Sequence, residues 1–229
     1  ATTEIYTLSL HDALPISFGL GPENDLYADH LESRGLEGIR FRLHHAGESA
    51  QVASPLRGRE SVWACLAGAA VGLVEGLDWE TIIAGLSSAI EQPRLRVLKG
   101  CGGITIVDDA YNASPASTRA ALEFLLELPG RRVAVLGDMR ELGSYEEEGH
   151  RQVGRKAVEV VDVLVVVARL GGIIGQEAQA QGLEETYFAE DNSHALEILK
   201  SLLLAGDVVL VKGSRGMQME EVVAGLVGD

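Results

Sequence analysis

The chain is poor in cysteine, in aromatic residues and in positive charge. Its two cysteines, Cys65 and Cys101, show neither pairing nor metal-ligand spacing. That argues against a disulfide framework and points to reduced thiols in the cytosol. Nineteen Lys and Arg stand against 34 Asp and Glu, a formal net charge of −15. Such an excess disfavours a general nucleic-acid or anionic-membrane surface, since those partners select stripes of Lys and Arg. No apolar run is long enough to cross a bilayer, which argues against membrane insertion. There is also no Gly-Lys pair, so the phosphate-gripping segment G-x-x-x-x-G-K-[ST] does not occur in this sequence.

What remains is the composition of an α/β protein: 46% hydrophobic residues and 27 glycines in 229 residues, enough for one large or two ordinary domains. The segment Glu4 to Ile16, EIYTLSLHDALPI, reads as the conceptual translation of a sequencing-adapter oligonucleotide, so residues 1–17 are expected to be non-native. A signal peptide fits less well, because Glu4, His11 and Asp12 interrupt any apolar core and no basic stretch precedes it.

Between Phe18 and Pro55 the alternation of Ile39, Phe41 and Leu43 predicts a strand over Ile39 to His45 in a small sheet. His44 and His45 are adjacent on it, so they face opposite ways and do not form a metal pair. Arg59 to Gly76 and Trp79 to Ile90 have helical apolar spacing, and Pro93 breaks the chain. From Arg94 onward, strands are predicted at 95–98, 104–108, 132–136, 163–167, 186–188 and 208–211. Helices are predicted at 115–127, 146–160, 175–181, 193–204 and 217–226. That alternation specifies a Rossmann-like, mostly parallel sheet with helices on both faces.

Ligands collect outside the carboxyl ends of strands in such sheets. Three loops meet that condition: Asp108 to Ser114, Gly137 to Gly143 and Lys212 to Gly216. The first carries two carboxylates, a phenol and an amide in DDAYN, ahead of Ser114 and Pro115, a helix cap and first position. Alternation sends Asp108 and Asp109 to opposite faces without saying which serves a ligand. In the second loop Asp138 and Glu141 supply carboxylates for an ammonium group or a hydrated cation. In the third, Lys212, Ser214 and Arg215 suit a carboxylate or phosphate. Glu146, Glu147 and Glu148 read as helix N-terminal charge. His150 on the same helix is expected to orient a loop.

These motifs, VDDAYNASPAS (Val107 to Ser117), PGRRVAVLGDMRELG (Pro129 to Gly143) and VLVKGSRGMQMEEVV (Val209 to Val223), resemble the C-terminal part of the Mur ligases. Among these, the member that adds a dipeptide is most similar. The resemblance covers Leu56 to Val227 well and Phe18 to Pro55 loosely. It implies a C-terminal domain over 93–229, preceded at 18–92 by an incomplete remnant of the ATP-binding central domain. ATP and Mg2+ are the implied cofactors, bound mainly by a central-domain segment this sequence does not contain. By the same resemblance, Arg94, with Arg96 close by, reaches nucleotide phosphates, and Asp109, Tyr111 and Asn112 hold the adenosine end. Asp138, Met139, Glu141, Lys212, Ser214 and Arg215 fall on the side where the amino substrate meets the precursor peptide.

The implied reaction is ATP-dependent amide formation through an acyl phosphate. Its implied partners are UDP-N-acetylmuramoyl-tripeptide and D-alanyl-D-alanine, in a cytoplasmic, monomeric enzyme. Gly58, Arg59, Glu60, Ser61 departs from the family, which often has a His after the Gly-x pair. Without the phosphate loop the chain as written is expected to be inactive, and helices between 59 and 90 are expected to expose apolar faces for want of a sheet. Two other readings stand beside this one: a folylpolyglutamate synthase, and a non-catalytic or receiver-type module using Asp108, Asp109, Asp138 and Lys212.

Overall fold

The computed structural model describes residues 6–8, 16–88 and 94–228, with only the backbone of 6–8. The chain divides into two compact units, Ala1–Gln92 and Pro93–Asp229. Pro93 itself and most of the adapter-like stretch lie outside the described residues.

The first unit holds strands β1 (Tyr6–Leu8), β2 (Ile16–Gly19), β3 (Leu26–Ser33), β4 (Ile39–His45) and β5 (Glu48–Ser54), then helices α1 (Ser61–Val74) and α2 (Trp79–Ser87). The sheet runs β1-β2-β3-β4-β5, with only β2 and β3 parallel. Alternation along β4 buries Ile39, Phe41 and Leu43 and leaves Arg40 and Arg42 outside. Helix α1 buries Val62, Cys65, Leu66, Ala69 and Ala70 in the same core, joined by Ile82 of α2. The expectation that these helices expose their apolar faces is therefore corrected. The residues preceding Pro55 build a sheet with one apolar face, and that face covers α1. Helix α2 begins where the Asp78 carboxylate accepts from the Thr81 N–H at 2.7 Å.

The second unit contains β6 (Arg96–Lys99), β7 (Thr105–Asp108), α3 (Pro115–Leu126), β8 (Arg132–Leu136), α4 (Glu146–Val160), β9 (Val163–Val167), α5 (Ala168–Ala180), β10 (Thr186–Ala189), α6 (Asn192–Leu202), β11 (Val208–Lys212) and α7 (Glu220–Val227). Its sheet order is β10-β9-β8-β11-β7-β6, parallel throughout except for the edge strand β6. Strand parity divides the core. Ala134, Leu136, Leu164, Val166 and Leu210 meet α3, α4 and α5 on one face. Val133, Val135, Val163, Val165, Val209 and Val211 meet α6 and α7 on the other. This is the Rossmann-like α/β layering the alternation predicted.

Two elements differ from the sequence reading. Helix α5 begins at Ala168 rather than Gly175, because its first turn is capped from another loop: Asp138 Oδ1 accepts from the N–H groups of Leu170 and Gly171 at 2.8 and 2.9 Å. The segment after β11 is a 3-10 turn, Arg215–Met217, set off from α7 by Gln218 at a left-handed φ of 51°. The receiver-type reading fails on strand order. A receiver sheet runs 2-1-3-4-5 with its last strand at the edge, whereas β11 here lies between β7 and β8. Among the described residues no helix is long and apolar enough to cross a membrane.

Candidate functional site

Because β11 sits between β7 and β8, the loops leaving these three strands are neighbours, although residues 109 and 212 are far apart in sequence. The ladder continues one step past the strand ends. Asp109 N–H donates to Val211 O at 3.1 Å, Gly137 N–H to Lys212 O at 2.9 Å, and Ser214 N–H to Asp138 O at 2.9 Å. The close approach needs a glycine at 213, where an added Cβ would lie 2.7 Å from Met219 Cγ and 3.4 Å from Gly137 Cα.

Parity then decides which side chains meet. Val107 and Leu210 face the α3–α4 side, so Asp109 and Lys212, two residues further along each strand, face it too. Lys212 Nζ reaches Asp109 Oδ2 at 2.5 Å and Asn112 O at 2.8 Å. Both side chains are shut from solvent, at 0% and 5% exposure. Burial pushes the Asp109 carboxyl above the usual carboxylate range, against the pull of Lys212 and, more weakly, of Arg94 and the Leu95 N–H. Burial likewise draws the Lys212 ammonium below the usual lysine range, with Asp109 opposing it. Asp109 Oδ1 is buried without a well-aligned hydrogen bond.

Asp108 faces the other way. Its Oδ1 accepts from Ala110 N–H at 3.1 Å, and its Oδ2 lies 3.7 Å from Arg96, its register partner on β6. The two acids thus have separate duties: Asp108 closes a turn and ties the edge strand, while Asp109 anchors Lys212.

Above the buried pair lies an exposed rim. Tyr111 is 61% exposed, and the Arg215 guanidinium sits 5.7 Å from its ring centroid, held also by Glu220 at 2.9 Å. Ser114 caps α3 as predicted: its Oγ accepts from Ser117 N–H at 3.3 Å, with Pro115 at the first helical position. Ser214 Oγ accepts from Arg140 N–H at 2.8 Å and fixes the second loop to the third. Glu141 is exposed, with a left-handed φ of 66°.

Four expected contact residues, Asp138, Met139, Lys212 and Ser214, are placed inward instead. Met139 lies in the core, its N–H donating to His150 Nε2 at 2.9 Å and its sulfur accepting from Thr118 Oγ1 at 3.5 Å. Asp138 is buried and spends Oδ1 on α5, and Lys212 is enclosed. Ser214 is buried as well, its Oγ engaged by the second loop, so of the residues expected on this side only Arg215 and Glu141 are exposed. Arg140 was missed by sequence reasoning. Its Nη2 lies 3.4 Å from Met217 Sδ, on the turn that follows Arg215, and no motif marked it.

Elsewhere, a cleft of about 470 Å3 lies in the first unit among Asn24, Tyr27, His44 and Glu48. His44 stacks on Tyr27 with ring centroids 4.4 Å apart and meets Asp29 at 3.0 Å. Among the described residues no group of three or more His, Cys, Asp or Glu could hold a metal ion.

An open parallel sheet with polar loops gathered where the last strand enters between two earlier ones defines an α/β ligand-binding domain with its mouth at the strand carboxyl ends. Residues 93–215 match the Mur ligase, glutamate ligase domain, and the chain belongs to the Mur ligase family. It is 32% identical over 217 residues to the UDP-N-acetylmuramoyl-tripeptide--D-alanyl-D-alanine ligase of Bacillus subtilis (strain 168), covering 92% of this chain and 47% of that protein. The crystal structure of MurF from Acinetobacter baumannii superposes with a TM-score of 0.81 at 30% identity, covering 93% of this chain and 46% of that one. A MurF ligase from Thermotoga maritima, in complex with ADP, gives 0.69 at 26% identity, covering 90% and 46%. The chain spans about half the length of the relatives it matches.

Proposed function

We propose that this chain is the C-terminal part of a cytoplasmic, ATP-dependent ligase that joins D-alanyl-D-alanine to UDP-N-acetylmuramoyl-tripeptide in peptidoglycan precursor synthesis. The observation that carries the reading is the Asp109–Lys212 pair beneath the Tyr111–Arg215 rim at the sheet's switch point. It occurs in a family member whose relatives bear that activity in their names. In this reading residues 93–229 form the C-terminal domain and 18–92 belong to the ATP-binding central domain.

The nucleoside end of ATP lies on the first loop. Tyr111 offers an exposed ring face for the base and Asn112 an exposed amide, while the enclosed Asp109 carboxyl acts through Lys212 in holding the loop. Arg94, exposed at the start of the second unit and near enough to favour the Asp109 charge, serves the phosphates. Arg215 and Glu141 face the substrates: the guanidinium suits a peptide carboxylate, and the Glu141 carboxylate suits the incoming ammonium.

Magnesium does not fit this unit. At the mouth the buried carboxylates Asp109 and Asp138 are engaged by Lys212 and by the start of α5, and among the described residues no group of three or more His, Cys, Asp or Glu could hold a metal ion. We assign the metal and the phosphate grip to the part of the enzyme that this sequence does not span.

The test is to sequence the source DNA outward across the codons for Ser17 and Phe18, then express the uninterrupted reading frame. ADP release that requires both UDP-N-acetylmuramoyl-tripeptide and D-alanyl-D-alanine is expected. Release supported instead by a folate and glutamate would point to the folylpolyglutamate synthase reading, and no release with either pair would reject both.

A further inference from the structure

Lys212 is conspicuous for where it does not point. Of the cations at the mouth of the second unit, Arg94 and Arg215 are exposed, whereas the Lys212 side chain is wholly enclosed. Its ammonium spends its bonds inward, on the Asp109 carboxylate and the backbone carbonyl of Asn112, at 2.5 and 2.8 Å. Those acceptors stand at the two ends of the turn 109–112, and Tyr111 lies between them. One cation therefore closes the loop like a clasp, and its strand is the central one of the three that feed the mouth.

We infer that Lys212 is a positioning residue for the nucleoside: it touches neither phosphate nor peptide, and acts on ligand only by holding Asp109, Tyr111 and Asn112 in register. This rests on the nucleotide reading of that loop and deepens it. A lysine that gripped phosphate would need an ammonium open to solvent and to its own counter-charge. This one has traded hydration for two fixed acceptors, an exchange tolerated in a buried site only when the geometry is good. The arrangement opposes the effect of burial on the Asp109 carboxyl and sets the orientation of the exposed Tyr111 ring.

The two roles separate on the choice of probe. Adenosine and ADP are each titrated into the full 229-residue chain, wild type and Lys212→Met, with loop amide resonances followed by NMR. A positioning residue predicts that both ligands weaken by the same factor, about tenfold or more, because the lost contact is to the shared nucleoside. Loss confined to ADP would mean direct phosphate contact and would overturn the inference. So would an unchanged affinity for both, which would leave Lys212 a purely structural residue. If Lys212→Met does not fold, the double variant Asp109→Asn/Lys212→Met, which buries no lone charge, is read instead. It should bind adenosine more weakly than wild type, and equal binding would overturn the inference. A wild-type chain that responds to neither probe sinks the nucleotide reading itself, and this inference with it.

Discussion

The backbone N–H of Met139 donates to Nε2 of His150 at 2.9 Å. The other ring nitrogen, Nδ1, lies 2.6 Å from Glu146 O, and since a carbonyl only accepts, Nδ1 carries the proton. The fully buried imidazole thus joins the first turn of α4 to the loop after β8. Replacing it strands the buried Met139 N–H, while Glu146 O keeps its helical partner in the first turn of α4. His150→Ala should lower stability by about 1–3 kcal/mol, the cost of one orphaned buried donor. Urea unfolding checks this, and a loss under about 0.5 kcal/mol, the range of ordinary surface changes, would show that the bonds are replaceable.

Gly154 in α4 sets helix propensity against packing. Alanine is the better helix former by about 1 kcal/mol. Yet a Cβ at 154 would lie 2.6 Å from Ile174 O and 2.8 Å from Glu177 Cβ on α5, and a backbone oxygen in a packed helix yields little. Overpacking of this kind costs about 1–3 kcal/mol. Gly154→Ala should therefore lower the melting temperature, and an increase would mean that α5 moves freely.

Much of the second unit was legible because its strands are short apolar runs closed by polar turns. Arg132–Leu136, Val163–Val167 and Glu146–Val160 emerged with the ends the sequence suggested. The order of the strands was not legible. Nothing local in VVLVK says that it enters between β7 and β8, so the pairing of Lys212 with Asp109 stayed hidden although parity already placed both on compatible faces. The early start of α5 was missed for the same reason, since its cap comes from Asp138, some thirty residues upstream. In the first unit, local alternation marked β4 well, but it gave no account of how many partners that strand would find to cover α1.

Glu141 occupies a left-handed conformation that favours glycine, and its side chain is exposed. Removing the Cβ relieves a cost of about 1 kcal/mol. Glu141→Gly should raise stability by roughly that amount while weakening use of the amino substrate in the uninterrupted enzyme. Chemical denaturation reads the first effect and the KM for D-alanyl-D-alanine the second. A fall in stability would show that the Glu141 side chain makes a contact worth more than the strain.

Arg131, the residue before β8, grips Asp207 with two nitrogens, Nε at 3.0 Å and Nη2 at 2.8 Å. Burial alone would raise the Asp207 carboxyl, but Arg131 and the Leu204 N–H outweigh it and hold the group below its ordinary value of 3.8. Its contribution to stability is therefore present above pH 3.8 and is lost as pH falls through the lower folded value. With Arg131 about one-third exposed, solvent trims the pair. Asp207→Asn should cost about 1–2 kcal/mol at neutral pH and flatten the acid limb of stability against pH. An unaltered acid limb would place that titration on other carboxylates.

The central position of β11 has a temporal meaning as well as a spatial one. Strands are synthesised in chain order, and the one that joins β7 to β8 is made after β9 and β10. Until residue 212 has left the ribosome, the nascent unit holds two half-sheets with unpaired edges facing each other, the state most exposed to misassociation. A stop codon or protease cut only a few residues ahead of Val208 would remove not a trailing strand but the seam of the sheet.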